Sequence, residues 1–138
     1  MPLLEIIKTE KTADWVIGTA FEIGNKQGKT CIVVNDGPGF YTTRILAPYM
    51  NEALLLLEEG AKIESVELAM KQWGFPVGPM VLFDEVGIDV AAHISDVMGP
   101  FFEKREMKST SITKEIYKEG ASIFKTVIYI IRTSDNAI

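Results

Sequence analysis

A mainly helical chain that opens with one βαβ unit is the fold class this sequence predicts, and three observations predict it. Two short apolar runs, Leu3–Ile7 and Thr30–Val34, flank a stretch with helical spacing. The second run stops at Asn35-Asp36-Gly37-Pro38-Gly39 and restarts as the strongest amphipathic pattern in the chain. From Gly39 to Arg105 the apolar residues recur three and four apart, not two apart. At 138 residues there is room for one ordinary domain or parts of two. Hydrophobic residues at 47% and charged residues at 24% are globular values.

The elements follow in order. Leu3-Leu4-Glu5-Ile6-Ile7 is a short strand interrupted by one carboxylate. Thr12 is placed to cap a helix whose inward stripe is Ile17, Ala20, Phe21 and Gly24, running to about Gly28. Thr30–Val34 is the second strand, parallel to the first because a helix connects them. Leu46, Met50, Ala53, Leu54 and Leu57 line the next helix, which Pro48 interrupts early and Gly60 ends. Ile63, Val66, Met70 and Trp73 share one face of a helix that stops at Gly74. Pro79 suits a helix first turn, where its missing N–H is not needed. Asp89 is placed to cap a further helix with Val90, Ile94, Val97, Met98 and Phe101 inward.

After Arg105 the character changes. All six prolines and ten of the eleven glycines precede that point. Ile112, Ile116, Phe124, Val127 and Ile131 fit one helix face, while Thr126–Ile131 fits a strand equally well.

Composition excludes some functions. A net charge of −5 argues against nonspecific nucleic-acid binding, which needs a basic face. No apolar run approaches the about 20 residues of a membrane-spanning helix. One cysteine, Cys31, has no partner for an internal disulfide, and its strand position favours a buried thiol. One histidine and one cysteine, far apart, make no metal cluster. No secretory or mitochondrial leader is visible. Nothing matches Gly-x-Gly-x-x-Gly after a strand, since Gly37-Pro38-Gly39 lacks the third glycine and carries proline where a phosphate-binding N–H is wanted.

Three phrases in this order, Asn35–Arg44, Gly74-Phe75-Pro76-Val77-Gly78-Pro79 and Asp84-Glu85-Val86-Gly87-Ile88-Asp89, carry a resemblance. The chain resembles the NAD-dependent 3-hydroxyacyl-CoA dehydrogenases, most strongly the alpha subunits of mitochondrial fatty-acid β-oxidation. The resemblance implies a remnant of the Rossmann-type NAD-binding domain over residues 1–36 and the helical C-terminal domain over 37–105. Residues 106–138 form a tail that departs from the family's pattern. It further implies an acyl-CoA substrate, NAD as cofactor of the parent enzyme but not of this chain alone, and a mitochondrial location. The helical domain is expected to pack against another dehydrogenase domain or form a homodimer. A noncatalytic helical docking module is the alternative, motivated by the stripe Leu46–Leu57.

The candidate site residues are few. On the residues alone, Glu5 is either an edge-strand carboxylate facing water or one that orients a histidine and stabilises its cation. The resemblance implies the second role, with the catalytic histidine upstream of Met1 and absent from this chain. Thr43 stands where many members of the family have a substrate-fixing asparagine, so it is the candidate substrate contact. Arg44 is expected to support the turn or pair with a carboxylate such as Asp36. His93 is expected to be structural, and the neighbours Asp84 and Glu85 point in different directions on a helix.

Overall fold

The computed structural model describes residues 2–118 and 120. The chain divides into two compact units, Met1–Ile45 and Leu46–Ile138. The first holds β1 (Leu3–Lys8), α1 (Asp14–Lys26), β2 (Thr30–Asn35) and the start of α2 (Thr42–Glu58). The second continues α2 and adds α3 (Ile63–Trp73), α4 (Pro79–Val86), α5 (Ile88–Glu103) and α6 (Ile112–Lys118). The sequence expectation for Phe124–Ile131 lies outside the described residues.

In the first unit β1 and β2 pair in parallel, with Leu3 opposite Thr30 and Glu5 opposite Ile32. The crossover helix α1 comes so close that Gly24 is its buried residue. A Cβ there would overlap Cys31 Sγ and lie 2.9 Å from Leu4 Cδ2. Cys31 is half-buried, less covered than its strand position suggested. Thr12 does not cap α1. The helix starts after an extended Ala13 with no side-chain cap. Thr12 instead serves the preceding turn, its Oγ1 accepting the Thr9 N–H at 3.0 Å.

The core of the second unit is drawn from five helices. Met80 and Ile116 are fully buried, Leu54 is 1% exposed, and Ala53, Ile63, Val66, Phe83, Ala91 and Ile112 surround them. Burying each large aliphatic side chain here contributes about 1.5–3 kcal/mol. Gly60, at φ 93°, ends α2 as expected: the Ala61 N–H reaches back to the Leu56 carbonyl at 2.9 Å. Helix α2 continues through Pro48. Two expectations about faces fail. Trp73 is 83% exposed at the end of α3. Helix α5 buries Ala91, Ala92, Met98 and Phe102, while Val90 and Val97 face outward. Asp89 is not the cap of α5 either; the helix starts at Ile88, with Gly87 before it and Asp89 in its first turn.

Two polar devices tie this unit together. Asn51, 8% exposed, donates through Nδ2 to the Lys108 carbonyl at 2.8 Å and accepts the Thr110 N–H at 3.2 Å. That clamp fixes the segment leading into α6. Glu67 of α3, 9% exposed, extends its carboxylate to the start of α4 and accepts the Met80 N–H at 2.6 Å. A carboxylate there satisfies an orphan donor and faces the positive end of the helix dipole. Gly78 makes room for it, since a Cβ at that position would overlap the Glu67 carboxylate. The Tyr49 ring stacks on Phe75 with centroids 4.9 Å apart. Burial first, and the Glu67 charge second, push the Tyr49 hydroxyl above its ordinary pKa.

Candidate functional site

The turn after β2 is built to present backbone N–H groups. Phe40 N–H closes it on the Gly37 carbonyl at 3.1 Å. Gly39 at φ 74° and Phe40 at φ 41° then take successive left-handed conformations. Glycine does this freely, whereas phenylalanine loses about 1–2 kcal/mol. The result aims the next two N–H groups at one point, a small anion-binding concavity at the start of α2.

Glu5 fills that concavity. Its Oε1 accepts the Tyr41 N–H at 2.9 Å and the Thr42 N–H at 3.0 Å. Its Oε2 accepts the Thr42 hydroxyl at 2.5 Å. All of these groups belong to the first unit. The half-buried position pushes the Glu5 carboxyl pKa upward, the largest single influence. The Thr42 hydroxyl, the Thr42 N–H and the Tyr41 N–H together outweigh it and hold the carboxyl below its ordinary value. The clamp is therefore complete above the ordinary carboxylate pKa and is lost as pH falls through the lowered, folded value.

The acceptor inventory is informative. An ionised carboxylate offers about four lone-pair positions. Three are taken here, two on Oε1 and one on Oε2. One position on Oε2 remains for a further donor. Glu5 is thus neither a solvated edge carboxylate nor a fully consumed structural one.

The other candidates are spread apart. Thr43 is half-buried and makes no side-chain hydrogen bond among the described residues. Its neighbour Thr42, which sequence reasoning passed over, holds the carboxylate. A threonine at a helix start was a local signal, but its partner lies 37 positions away. Arg44 is exposed in the first turn of α2. His93, Asp84 and Glu85 are exposed in the second unit.

A dinucleotide does not fit the residues present. The N–H groups at the start of α2 that would hold a phosphate are already committed to Glu5. Ligands of parallel sheets bind beside the carboxyl ends of the strands. A cleft of about 860 Å³ opens there, lined by Lys8, Thr9, Glu10, Lys11, Thr12, Asp14, Ile17, Asn35 and Asp36. Its two lysines are outnumbered by three carboxylates, which gives a pyrophosphate no net attraction.

A parallel βαβ element thus runs through a carboxylate-filled turn into a helical unit. Residues 1–37 match the NAD binding domain of 3-hydroxyacyl-CoA dehydrogenase, and residues 39–128 match the C-terminal domain of the same enzymes. The chain belongs to the 3-hydroxyacyl-CoA dehydrogenase family. It is 56% identical over 136 residues to a fatty acid oxidation complex subunit alpha of Idiomarina loihiensis, covering 89% of this chain and 19% of that subunit. A subunit of the same name from Shewanella halifaxensis is 52% identical over 114 residues, covering 83% of this chain and 16% of the relative. The chain therefore spans a fifth or less of these relatives. Among solved structures, (S)-3-hydroxybutyryl-CoA dehydrogenase from Ralstonia eutropha superposes with a TM-score of 0.78 at 31% identity, covering 87% of this chain and 43% of that one. The 3-hydroxybutyryl-CoA dehydrogenase of Escherichia coli superposes with a TM-score of 0.77 at 31% identity, covering 87% of this chain and 26% of that one.

One expectation is overturned by these relatives. The resemblance pointed to a mitochondrial location, but the curated relatives are bacterial subunits, from Shewanella and Idiomarina. The alpha-subunit character that suggested mitochondria is shared by bacterial fatty acid oxidation complexes.

Proposed function

We propose that this chain serves an NAD-dependent 3-hydroxyacyl-CoA dehydrogenase of fatty-acid β-oxidation, with residues 1–36 closing the NAD-binding domain and 37–105 forming the helical domain. In that reaction a (3S)-3-hydroxyacyl-CoA becomes a 3-ketoacyl-CoA, its hydride passing to NAD and its hydroxyl proton to a histidine base. The observation that carries the proposal is the state of Glu5: ionised, held by three donors, and keeping one acceptor position on Oε2. A fixed anion with one open lone pair suits an imidazole N–H. It would orient the ring, set its tautomer and stabilise the cation formed when the substrate proton arrives. Thr43, one residue beyond this clamp, is the proposed contact for the substrate oxygen. Packing against a second dehydrogenase domain, or a second copy, is supported by Leu68 and Trp73, which α3 exposes at 57% and 83%.

A segment exchange tests the proposal. The matched segment of the Idiomarina loihiensis subunit is replaced by that of this chain, and NADH absorbance is followed with a 3-hydroxyacyl-CoA and NAD. The hybrid is expected to turn over, and the 138-residue chain by itself is not. A folded but inactive hybrid, or an isolated chain that reduces NAD, would contradict the proposal.

A further inference from the structure

We propose that Thr42 is a positioning residue for the dehydrogenation, fixing which lone pair of Glu5 faces the catalytic imidazole. The inference deepens the function just proposed and rests on it. Glu5 projects from a strand on a flexible side chain, and two N–H donors to Oε1 alone would leave the carboxylate plane free to rotate about that oxygen. The Thr42 hydroxyl removes that freedom by binding the other oxygen at 2.5 Å. The same residue donates its N–H to Oε1 at 3.0 Å, so one threonine grips both ends of the carboxylate. Because the hydroxyl takes one lone pair of Oε2, the direction left for an imidazole is singular.

The grip also explains why a left-handed phenylalanine is tolerated just before the helix. Phe40 at φ 41° turns the chain so that the Tyr41 and Thr42 N–H groups converge on Oε1. Conversely, the carboxylate offsets the strain of that turn. Arrangement and strain are thus parts of one device, and the hydroxyl is its adjustable member. Valine at this position keeps the β-branched shape and the N–H while deleting the hydroxyl; serine keeps the hydroxyl.

The test uses both variants in the hybrid subunit and in the 138-residue chain. Thr42→Val is expected to lower kcat about tenfold, the equivalent of one lost hydrogen bond, with KM little changed. Thr42→Ser should recover most of the loss. In the 138-residue chain, the titration midpoint of the Glu5 carboxyl carbon, followed by NMR, should rise in Thr42→Val and return in Thr42→Ser. If Thr42→Val loses its helical circular dichroism, Thr42→Ala is measured in its place. An unchanged kcat, or a loss that serine does not recover, overturns the positioning role. Should Glu5→Gln abolish turnover while Thr42→Val leaves kcat unchanged, the proposed function stands and only this inference falls. Should Glu5→Gln turn over normally, the function itself falls.

Discussion

Substituting Gly78 by alanine is expected to lower the stability of the helical unit by about 2–4 kcal/mol, a fall of roughly 8–30 °C in melting temperature. The new methyl would occupy the space of the Glu67 carboxylate. Glutamate side chains bend, so the collision alone would be inexpensive on a surface. Here the carboxylate is 9% exposed and satisfies the Met80 N–H at 2.6 Å, and Met80 is itself fully buried. Moving the carboxylate leaves a buried donor without its acceptor, and that loss is the larger part of the cost. Thermal unfolding followed by circular dichroism measures it. The double variant Gly78→Ala with Glu67→Ala supplies the decisive comparison. With the carboxylate gone there is nothing to displace, so the double variant should be no less stable than Glu67→Ala alone. Additive losses would show that Gly78 matters for another reason.

Gly24→Ala carries the second large effect, in the βαβ unit. Alanine in a helix interior is normally preferred over glycine by about 1 kcal/mol. At this position the methyl would overlap Cys31 Sγ and press on Leu4 Cδ2 at 2.9 Å. Overpacking of this kind costs about 1–3 kcal/mol, which exceeds the helical preference, so the net change is destabilising. Removing the thiol should reveal the hidden gain. Cys31→Ala combined with Gly24→Ala is expected to recover most of the loss, and a urea unfolding midpoint reports it. A double variant no more stable than Gly24→Ala would mean that the close approach of α1 to the sheet is not what Gly24 allows.

These two glycines show where the amino-acid sequence was informative. The spacing Ile17, Ala20, Phe21 and Gly24 predicted the helix and placed glycine on its inner side. Nothing local says that the neighbour is a strand cysteine seven residues later. The phrase ending in Gly78-Pro79 likewise marked a helix start through proline at its first position, which α4 shows. The acceptor at that start, Glu67, belongs to the preceding helix, where a glutamate looks like one more solvated charge. Helix α5 misled for a different reason. Of the expected inward stripe Val90, Ile94, Val97, Met98 and Phe101, only Met98 is buried, and Ala91, Ala92 and Phe102 complete the inner face. Thr12 and Asp89 had suitable side chains beside helix starts, but neither caps one: the Thr12 hydroxyl is used by Thr9, and α5 begins one residue before Asp89.

The candidate site divides the same way. Its turn was legible in Asn35–Gly39, because proline and glycine act through their own backbones. A carboxylate in an apolar strand was legible as an anomaly. That the two meet was not, since Glu5 and Thr42 are joined only by the folded chain. The family resemblance directed attention to Thr43, while the geometry assigns the carboxylate to Thr42.

The central claim is that Glu5 is an ionised, clamped carboxylate whose remaining lone pair supports a proton-accepting imidazole. The most direct measurement is the kcat of the hybrid subunit carrying Glu5→Gln, with circular dichroism to confirm folding. Glutamine still accepts the Tyr41 and Thr42 N–H bonds but cannot stabilise an imidazolium by charge, so kcat is expected to fall at least about a hundredfold. A folded Glu5→Gln hybrid that forms NADH at the unsubstituted rate would contradict the claim.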